Sequence, residues 1–129
     1  MTITLLGEPR STSHIYKYTC RSGFAQGYMS EEGKALKEDY QWQARSQFHG
    51  EPLGGPLSVS LTLYHRTKRK ADIDNFNKLV LDALTEIVWE DDHQIERLIV
   101  ERAYDKERPR TELLIKPVHV RRAMTRLGS

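Results

Sequence analysis

Residues 57–64 alternate between apolar and polar side chains, and this pattern constrains the fold more than any other in the chain. Side chains on a β-strand point alternately to the two faces of a sheet. A strand that is apolar at every second residue therefore has one face buried in a core and one polar face. The sequence predicts a sheet covered on one face, with this segment as its central strand. The apolar positions are Leu57, Val59, Leu61 and Leu63.

Two helices are predicted to cover the apolar face of that sheet. Ser30 can cap a helix N-terminus, and residues 34–48 lack helix breakers and carry apolar side chains at helical spacing. Between residues 74 and 88 apolar side chains recur at intervals of three and four, which is typical of an amphipathic helix. Asp74 is expected to cap this second helix.

The remaining segments complete a small α+β domain. Residues 1–6 have the pattern of a short strand, residues 7–29 are predicted to be largely a polar loop, and residues 95–104 and 111–118 are predicted to pair as a hairpin. The order βαβαββ predicts a mixed or antiparallel sheet with two helices packed on one face. Residues 1–120 would form this single domain, and residues 121–129 a short basic tail.

Composition excludes several classes of protein. With 38% hydrophobic and 29% charged residues in 129, the chain has the composition of a globular domain rather than of a disordered or membrane protein. No apolar run is long enough to span a bilayer and the N-terminal residues lack a signal-peptide pattern, so we expect a cytoplasmic protein. A single cysteine, Cys20, excludes an intramolecular disulfide and a cysteine-based zinc site.

Asp72 and Asp74 follow a basic run directly, which indicates a metal site beside a phosphate-binding surface. Neighbouring carboxylates raise each other's pKa unless a cation or hydrogen bonds keep them ionised. Mg²⁺ is the usual cation for oxygen ligands that also hold a phosphate. The basic side chains would contact a DNA backbone. These candidates are Arg66, Lys68, Arg69 and Lys70, with Lys17 and Arg21 as a second set.

Lys78 and a second acidic cluster extend the candidate site. Lys78 lies four residues after Asp74 and so one turn along the same helix face. Asp91 and Asp92 follow the far end of the helix, roughly 20 Å from Asp74 if the chain simply continued. They join the site only if the chain turns back.

A purely structural role for Asp72 and Asp74 is the alternative to a metal site. Helix capping and the helix dipole would explain one aspartate and contribute about 1 kcal/mol. This explanation does not account for a second aspartate, for Lys78 or for the later acidic cluster. A calcium-binding EF-hand is excluded because Asn77 occupies the position at which that loop requires glycine.

Two segments together resemble the RusA family of Holliday junction resolvases. Residues 72–84 read DIDNFNKLVLDAL and residues 89–95 read WEDDHQI. The Asp-x-Asp-Asn, Lys, Asp-Ala-Leu and Asp-Asp-x-Gln elements are specific in combination, although each is common by itself. Weaker likeness extends to the N-terminal strand and to the Ser30 helix start, so the resemblance covers most of the chain.

The resemblance implies a homodimeric endonuclease that binds four-way DNA junctions and nicks them symmetrically with Mg²⁺, with Mn²⁺ as an alternative ion. By position, Asp72, Asp74 and Asp92 match the family's essential carboxylates, and Lys78 matches its essential lysine. Asp91 matches the neighbouring acid. Two other functions are considered beside this one: a catalytically silent junction-binding protein, and a metal-stabilised protein-interaction domain.

Four further residues have their own expectations. Trp42 and Trp89 are expected in the core or at a subunit contact. His93 is expected on the surface, and His65 is expected to contact DNA, to pack in the protein or to be exposed to solvent.

Overall fold

The computed structural model describes residues 1–10, 16–21, 24–68 and 76–118, with the backbone alone described for residues 16–21 and 24–29. A short 3₁₀ helix, Asp92–Gln94, directly precedes Ile95. Among the described residues no helix is long and apolar enough to cross a membrane. The elements are β1 (Thr2–Leu6), β2 (Tyr16–Arg21), β3 (Phe24–Met29), α1 (Glu31–Gln47), β4 (Leu57–His65), α2 (Asn77–Leu84), β5 (Ile95–Tyr104) and β6 (Arg110–Pro117).

β4 is a central strand of a four-stranded sheet with the order β1-β6-β4-β5. Its residues alternate between buried and half-buried along its whole length, as the sequence predicts. The buried side chains pack with those of α1, α2, β1 and β6 in one core. The predicted α+β class, with two helices packed on one face of a mixed sheet, is confirmed.

The predicted hairpin of β5 and β6 is wrong. β4 lies between these two strands, pairing in parallel with β5 and antiparallel with β6. Parallel strands need a crossover connection, and α2 with the turn after it supplies one between β4 and β5. Both edges of the apolar β4 are thereby paired.

The loop predicted before α1 contains a second, two-stranded sheet. β2 and β3 pair antiparallel over their whole length, from Tyr16 opposite Met29 to Arg21 opposite Phe24. The prediction of a loop is therefore wrong for these residues. Two of the candidate DNA-binding residues, Lys17 and Arg21, belong to β2.

α1 begins and ends as its sequence indicates. The Ser30 hydroxyl accepts a hydrogen bond from the Gly33 N–H at 3.1 Å, and two glutamates occupy the first turn. Negative charges are favourable there because the helix N-terminus carries a partial positive charge. Tyr40 and Ala44 are buried against the sheet.

α2 is shorter than its apolar periodicity predicts. Phe76 occupies the N-cap position without a side-chain cap, so the predicted cap at Asp74 is wrong, and the helix ends at Leu84. Glu86 then adopts a positive φ of 74°, which no residue in a right-handed helix can have. The chain turns sharply at this point and leads to β5.

The two tryptophans differ in burial. Trp89 is fully buried in the core, and its indole N–H donates to the Thr85 hydroxyl at 3.1 Å. Trp42 is 72% exposed on α1, so it does not pack in the core. The other expectation, that it lies at a subunit contact, stays a prediction.

Candidate active site

An open cleft of about 480 Å³ lies between the two helices and the segment that leads into β5. Asp82 contributes to it from the last turn of α2, and α1 contributes Lys37 and Gln41. The cleft is strongly acidic, because five carboxylates line it. The remaining lining residues are Thr85, Glu86, Glu90, Asp91, Asp92 and His93.

The turn after α2 brings the acidic cluster back to the helix. The Glu86 N–H donates to the Trp89 carbonyl at 2.6 Å, which closes the turn. Leu53, in the loop before β4, also holds this turn, because its N–H donates to the Val88 carbonyl at 2.7 Å. Asp92 consequently lines the same cleft as Asp82.

Gln94 holds the acidic turn in place with three hydrogen bonds. Its side-chain oxygen accepts from the Asp91 N–H at 2.8 Å. Its amide group donates to the carbonyls of Leu53 and Gly55, both at 2.8 Å. Together with Asp91 it forms a capping box around the 3₁₀ helix. The glutamine of the Asp-Asp-x-Gln element therefore ties the acidic turn to the loop before β4.

Asp91 and His93 form an exposed hydrogen-bonded pair. Asp91 Oδ1 accepts from the His93 N–H at 3.0 Å and lies 2.6 Å from His93 Nδ1. The hydrogen bond from the His93 backbone, followed by that from its ring, lowers the pKa of Asp91 to about 2. The same contact raises the pKa of His93. Asp91 is thus held ionised, and His93 lies on the surface as expected.

The donor atoms fit a hard divalent cation. Asp91, Asp92 and His93 each offer one ligand atom, and these atoms lie within 4.8 Å of one another. Mg²⁺ favours a few carboxylates and keeps several waters, which an exposed pair of aspartates permits. One oxygen of Asp91 is already engaged by His93. Asp92 plays no part in the capping box, and its Oδ1 lies 3.9 Å from His93 Nδ1.

Asp72 and Asp74 lie outside the described residues, together with Arg69 and Lys70. Both ends of that segment are described. The ring of His65, the last residue of β4, is buried and contacts the ring of Phe76, directly before α2, at 5.1 Å between centroids. Glu8 accepts from the Arg66 N–H at 2.9 Å on the same side. His65, which precedes residues 69–75, and Phe76, which follows them, therefore lie close together.

Asp92 and His65 lie at opposite ends of β4. In the parallel pairing, the first residue of β5 is opposite Leu57, and its last residue is opposite His65. α2 carries the chain from the His65 end of β4 towards the Leu57 end. Asp92 lines the same cleft as Asp82, which lies in the last turn of α2. Lys78, exposed in the first turn of α2, lies between these two regions, four residues before Asp82 on the same face. That Asp92 shares a metal with Asp72 and Asp74 stays a prediction.

The model of the family described as "Endodeoxyribonuclease RusA" matches residues 7–116, which is most of the chain. The chain belongs to the RusA endodeoxyribonuclease family. A curated relative, "Uncharacterized protein YqaN" of Bacillus subtilis (strain 168), is 42% identical over 53 residues. That match covers 41% of this chain and 37% of the relative, so the chain spans little more than a third of the relative's length.

The cleft of this RusA-family chain also contains residues that were not predicted from the sequence as site residues. Asp82 was recognised as part of the family pattern but not as a site residue, although it follows Lys78 at the spacing of one helical turn. Lys37 and Gln41 come from α1, distant in sequence, and no local pattern indicates them. Of the candidate DNA-binding residues, Arg66 and Lys68 are exposed after β4.

Proposed function

We propose that this chain is a Mg²⁺-dependent, structure-selective DNA endonuclease that resolves four-way junctions by paired symmetric nicks. The observation that carries the proposal is the cleft that Asp82, Asp91 and Asp92 line together in a chain of the RusA family. Carboxylates gathered at a solvent-open surface suit phosphodiester hydrolysis better than they suit structural packing, because none of the three is buried.

The carboxylates of the cleft would hold the metal against the DNA. Asp92 and Asp91 are proposed ligands, with Asp72 and Asp74 as the ligands contributed by the segment before α2. When bound, Mg²⁺ supplies a water of lowered pKa and neutralises the charge that develops on the phosphate. Asp91 enters this role already ionised, because His93 keeps its pKa low.

Lys78 is proposed to contact the scissile phosphate or the leaving oxygen. A lysine is ordinarily protonated at neutral pH, so it supplies positive charge rather than acting as a base. Its exposed position in the first turn of α2 lets the ammonium group reach an anion outside the helix. Replacement by methionine should then abolish nicking, and replacement by arginine should retain part of it.

Basic side chains at the end of β4 are proposed to bind the DNA backbone. Arg66 and Lys68 are exposed there, and Arg69 and Lys70 follow them in sequence. Lys17 and Arg21 on β2 form the proposed second set. Contacts of this kind release counterions, so junction binding should weaken steeply with salt.

A homodimer follows from the proposed substrate. A four-way junction with two-fold symmetry needs two nicks, and a two-fold protein would provide two active sites in matching positions.

A gel assay separates this function from its rivals. A labelled four-way junction and a duplex of the same sequence are incubated with the protein, with and without Mg²⁺. The proposal predicts nicking of the junction that depends on Mg²⁺. A silent junction binder would shift the junction without cutting it under any condition, and an interaction domain would show no salt-sensitive DNA binding.

A further inference from the structure

α1 lines the acidic cleft with two side chains that the family pattern does not include. Lys37 and Gln41 lie one helical turn apart, and both are half-buried. The same two residues also line a second open cavity, of about 390 Å³, on the surface of α1. The two cavities therefore adjoin at Lys37 and Gln41, and an extended ligand that fills the cleft can continue past both residues onto α1.

Lys37 has no ion pair although carboxylates line the cleft. Lys34, one turn earlier on α1, pairs with Glu31 at 3.5 Å, and His93 Nδ1 lies 2.6 Å from Asp91 Oδ1. Among the residues that the structure describes, no carboxylate lies within 4.0 Å of the Lys37 ammonium group. Its positive charge is therefore available to an anion that enters the cleft.

The charge of the cleft limits which anions can enter it. Five carboxylates line its walls, and Lys37 is the one lysine or arginine among the described lining residues. A free small anion would meet net repulsion there. One phosphate of a polyanion that is held elsewhere by other contacts enters more readily, because its effective concentration at the cleft is high. The ligand class that fits is a nucleic acid backbone rather than a free nucleotide.

The two side chains on α1 suit a phosphodiester in their chemistry as well. A lysine is ordinarily protonated at neutral pH and offers three N–H donors. The amide of Gln41 offers two further donors, without charge, to phosphate or sugar oxygens. Both residue types contact DNA backbones, where they fix the position of the strand without reading its sequence.

We propose that Lys37, assisted by Gln41, binds a phosphate of the DNA strand held in the acidic cleft. The inference rests on the proposed function and deepens it, because it names the side chains of α1 that position the strand. Lys78 is the proposed contact of the scissile phosphate or the leaving oxygen. Lys37 instead takes a neighbouring phosphate, so its loss should weaken DNA binding.

The first experiment measures junction affinity against salt concentration. Ca²⁺ replaces Mg²⁺, because it has the same charge and also binds carboxylate oxygens. A labelled four-way junction is titrated with the full chain by fluorescence anisotropy at several KCl concentrations. Lys37→Met should raise the dissociation constant roughly five- to tenfold and reduce the slope of log affinity against log salt by about one. Lys37→Arg keeps the charge and should keep the slope.

Lys34→Met is the matched control on the same helix. It removes the same charge three residues away, from a side chain that is paired with Glu31 and does not line the cleft. Its salt slope should equal that of wild type. The urea midpoint of Lys37→Met should also equal that of wild type, because Lys37 has no ion pair within the described chain to lose. A lowered midpoint with an unchanged slope would show that Lys37 serves stability instead.

The second experiment locates the phosphate that Lys37 contacts. Each phosphate near the crossover is replaced singly by an uncharged methylphosphonate, and the affinity is measured for wild type and for Lys37→Met. Such a double-mutant cycle isolates one contact from the rest. At one position in the strand the replacement should weaken wild-type binding roughly fivefold and leave Lys37→Met nearly unaffected.

Three outcomes would overturn the inference: an unchanged salt slope in Lys37→Met, an equal loss in Lys34→Met, or independent losses at every methylphosphonate position. Neither experiment involves nicking. A wild-type chain without salt-sensitive junction binding would contradict the proposed function as well. Wild-type binding that does not depend on Lys37 would contradict this inference alone, so the two failures are distinguishable.

Discussion

Gln94 joins the acidic turn to the loop before β4 through hydrogen bonds to backbone groups. Its three hydrogen bonds join Asp91 to the carbonyls of Leu53 and Gly55. Its replacement removes all three bonds, and water can replace the exposed ones to Asp91 and Gly55 more readily than the part-buried one to Leu53. The residue is thus a positioning residue, which touches neither the proposed metal nor the DNA.

Replacing Gln94 with alanine should lower the free energy of unfolding by about 1–3 kcal/mol, the contribution of its lost hydrogen bonds. Junction nicking should fall as well, because Asp92 loses its fixed position. Urea unfolding measures the first effect and the gel assay the second. Glu51→Ala is the control, because Glu51 is exposed in the loop that carries Leu53 and Gly55. Unchanged stability in Gln94→Ala would contradict this role.

Tyr40 makes stability depend on pH at the alkaline end. Burial, then the charge of Asp39, raises the pKa of Tyr40 to about 12, against an opposing effect of Arg10. The folded chain therefore holds this proton more tightly than the unfolded chain, in which a tyrosine titrates near its ordinary value of about 10. The resulting stability is present in full below about pH 10 and is lost as pH rises towards 12.

Between about pH 9 and pH 11, wild type should lose roughly 1 kcal/mol of unfolding free energy through Tyr40. Tyr40→Phe has no hydroxyl to titrate, so its loss over the same interval should be smaller by that amount. Urea unfolding at the two pH values measures both chains. Equal losses in the two proteins would show that Tyr40 is not the cause.

At the scale of elements, α1 protects the edge of β1 with two separate glutamines. The side chain of Gln47 bonds to the N–H and carbonyl of Thr4, and that of Gln43 to those of Leu6. Gln47→Ala should speed hydrogen exchange of the Thr4 amide, and Gln43→Ala that of the Leu6 amide, each roughly fivefold for a bond contributing about 1 kcal/mol. Hydrogen exchange measured by NMR resolves the Thr4 and Leu6 amides separately. Each variant is therefore the control for the other. Faster exchange along all of β1 in either variant would indicate general loosening instead.

The elements with a strong local pattern were predictable from sequence. β4 alternates and α1 has a cap and helical spacing, so neighbouring residues alone determine both. The β5–β6 hairpin prediction failed because it assumed that consecutive strands pair, whereas β4 lies between these two strands and pairs with both. α2 was predicted too long because Ile87 and Val88 continue the apolar spacing while lying in a turn, where Val88 is still buried.

The hairpin of β2 and β3 was missed although a signal is present. Tyr16, Tyr18 and Cys20 alternate with polar residues, and Ser22 and Gly23 between the strands are of turn-forming types. The candidate site was predictable where its residues are close in sequence, as at Asp91 and Asp92. The contribution of α1 was not predictable, because Lys37 meets the acidic turn only through the packing of the two helices.

At the scale of the whole molecule, the parallel pairing of β4 and β5 determines where the chemistry can occur. α2 must cross from one end of the sheet to the other, so Lys78 and Asp82 follow one face of it towards the acidic turn. Asp72 and Asp74 precede the start of that helix. The proposed endonuclease therefore places its acidic residues along α2, from the segment before the helix to the turn after it.

The most direct test of this account is single-turnover nicking of a four-way junction by Asp92→Asn. The substitution removes one charge from the cleft and leaves the Asp91–Gln94 capping box intact. Nicking in Mg²⁺ should fall by at least about 100-fold, and junction binding should be retained or strengthened because a negative charge near the polyanion is lost. Glu107→Gln, an exposed neutralisation in the turn between β5 and β6, should nick like wild type. Nicking by Asp92→Asn at the wild-type rate would contradict the account.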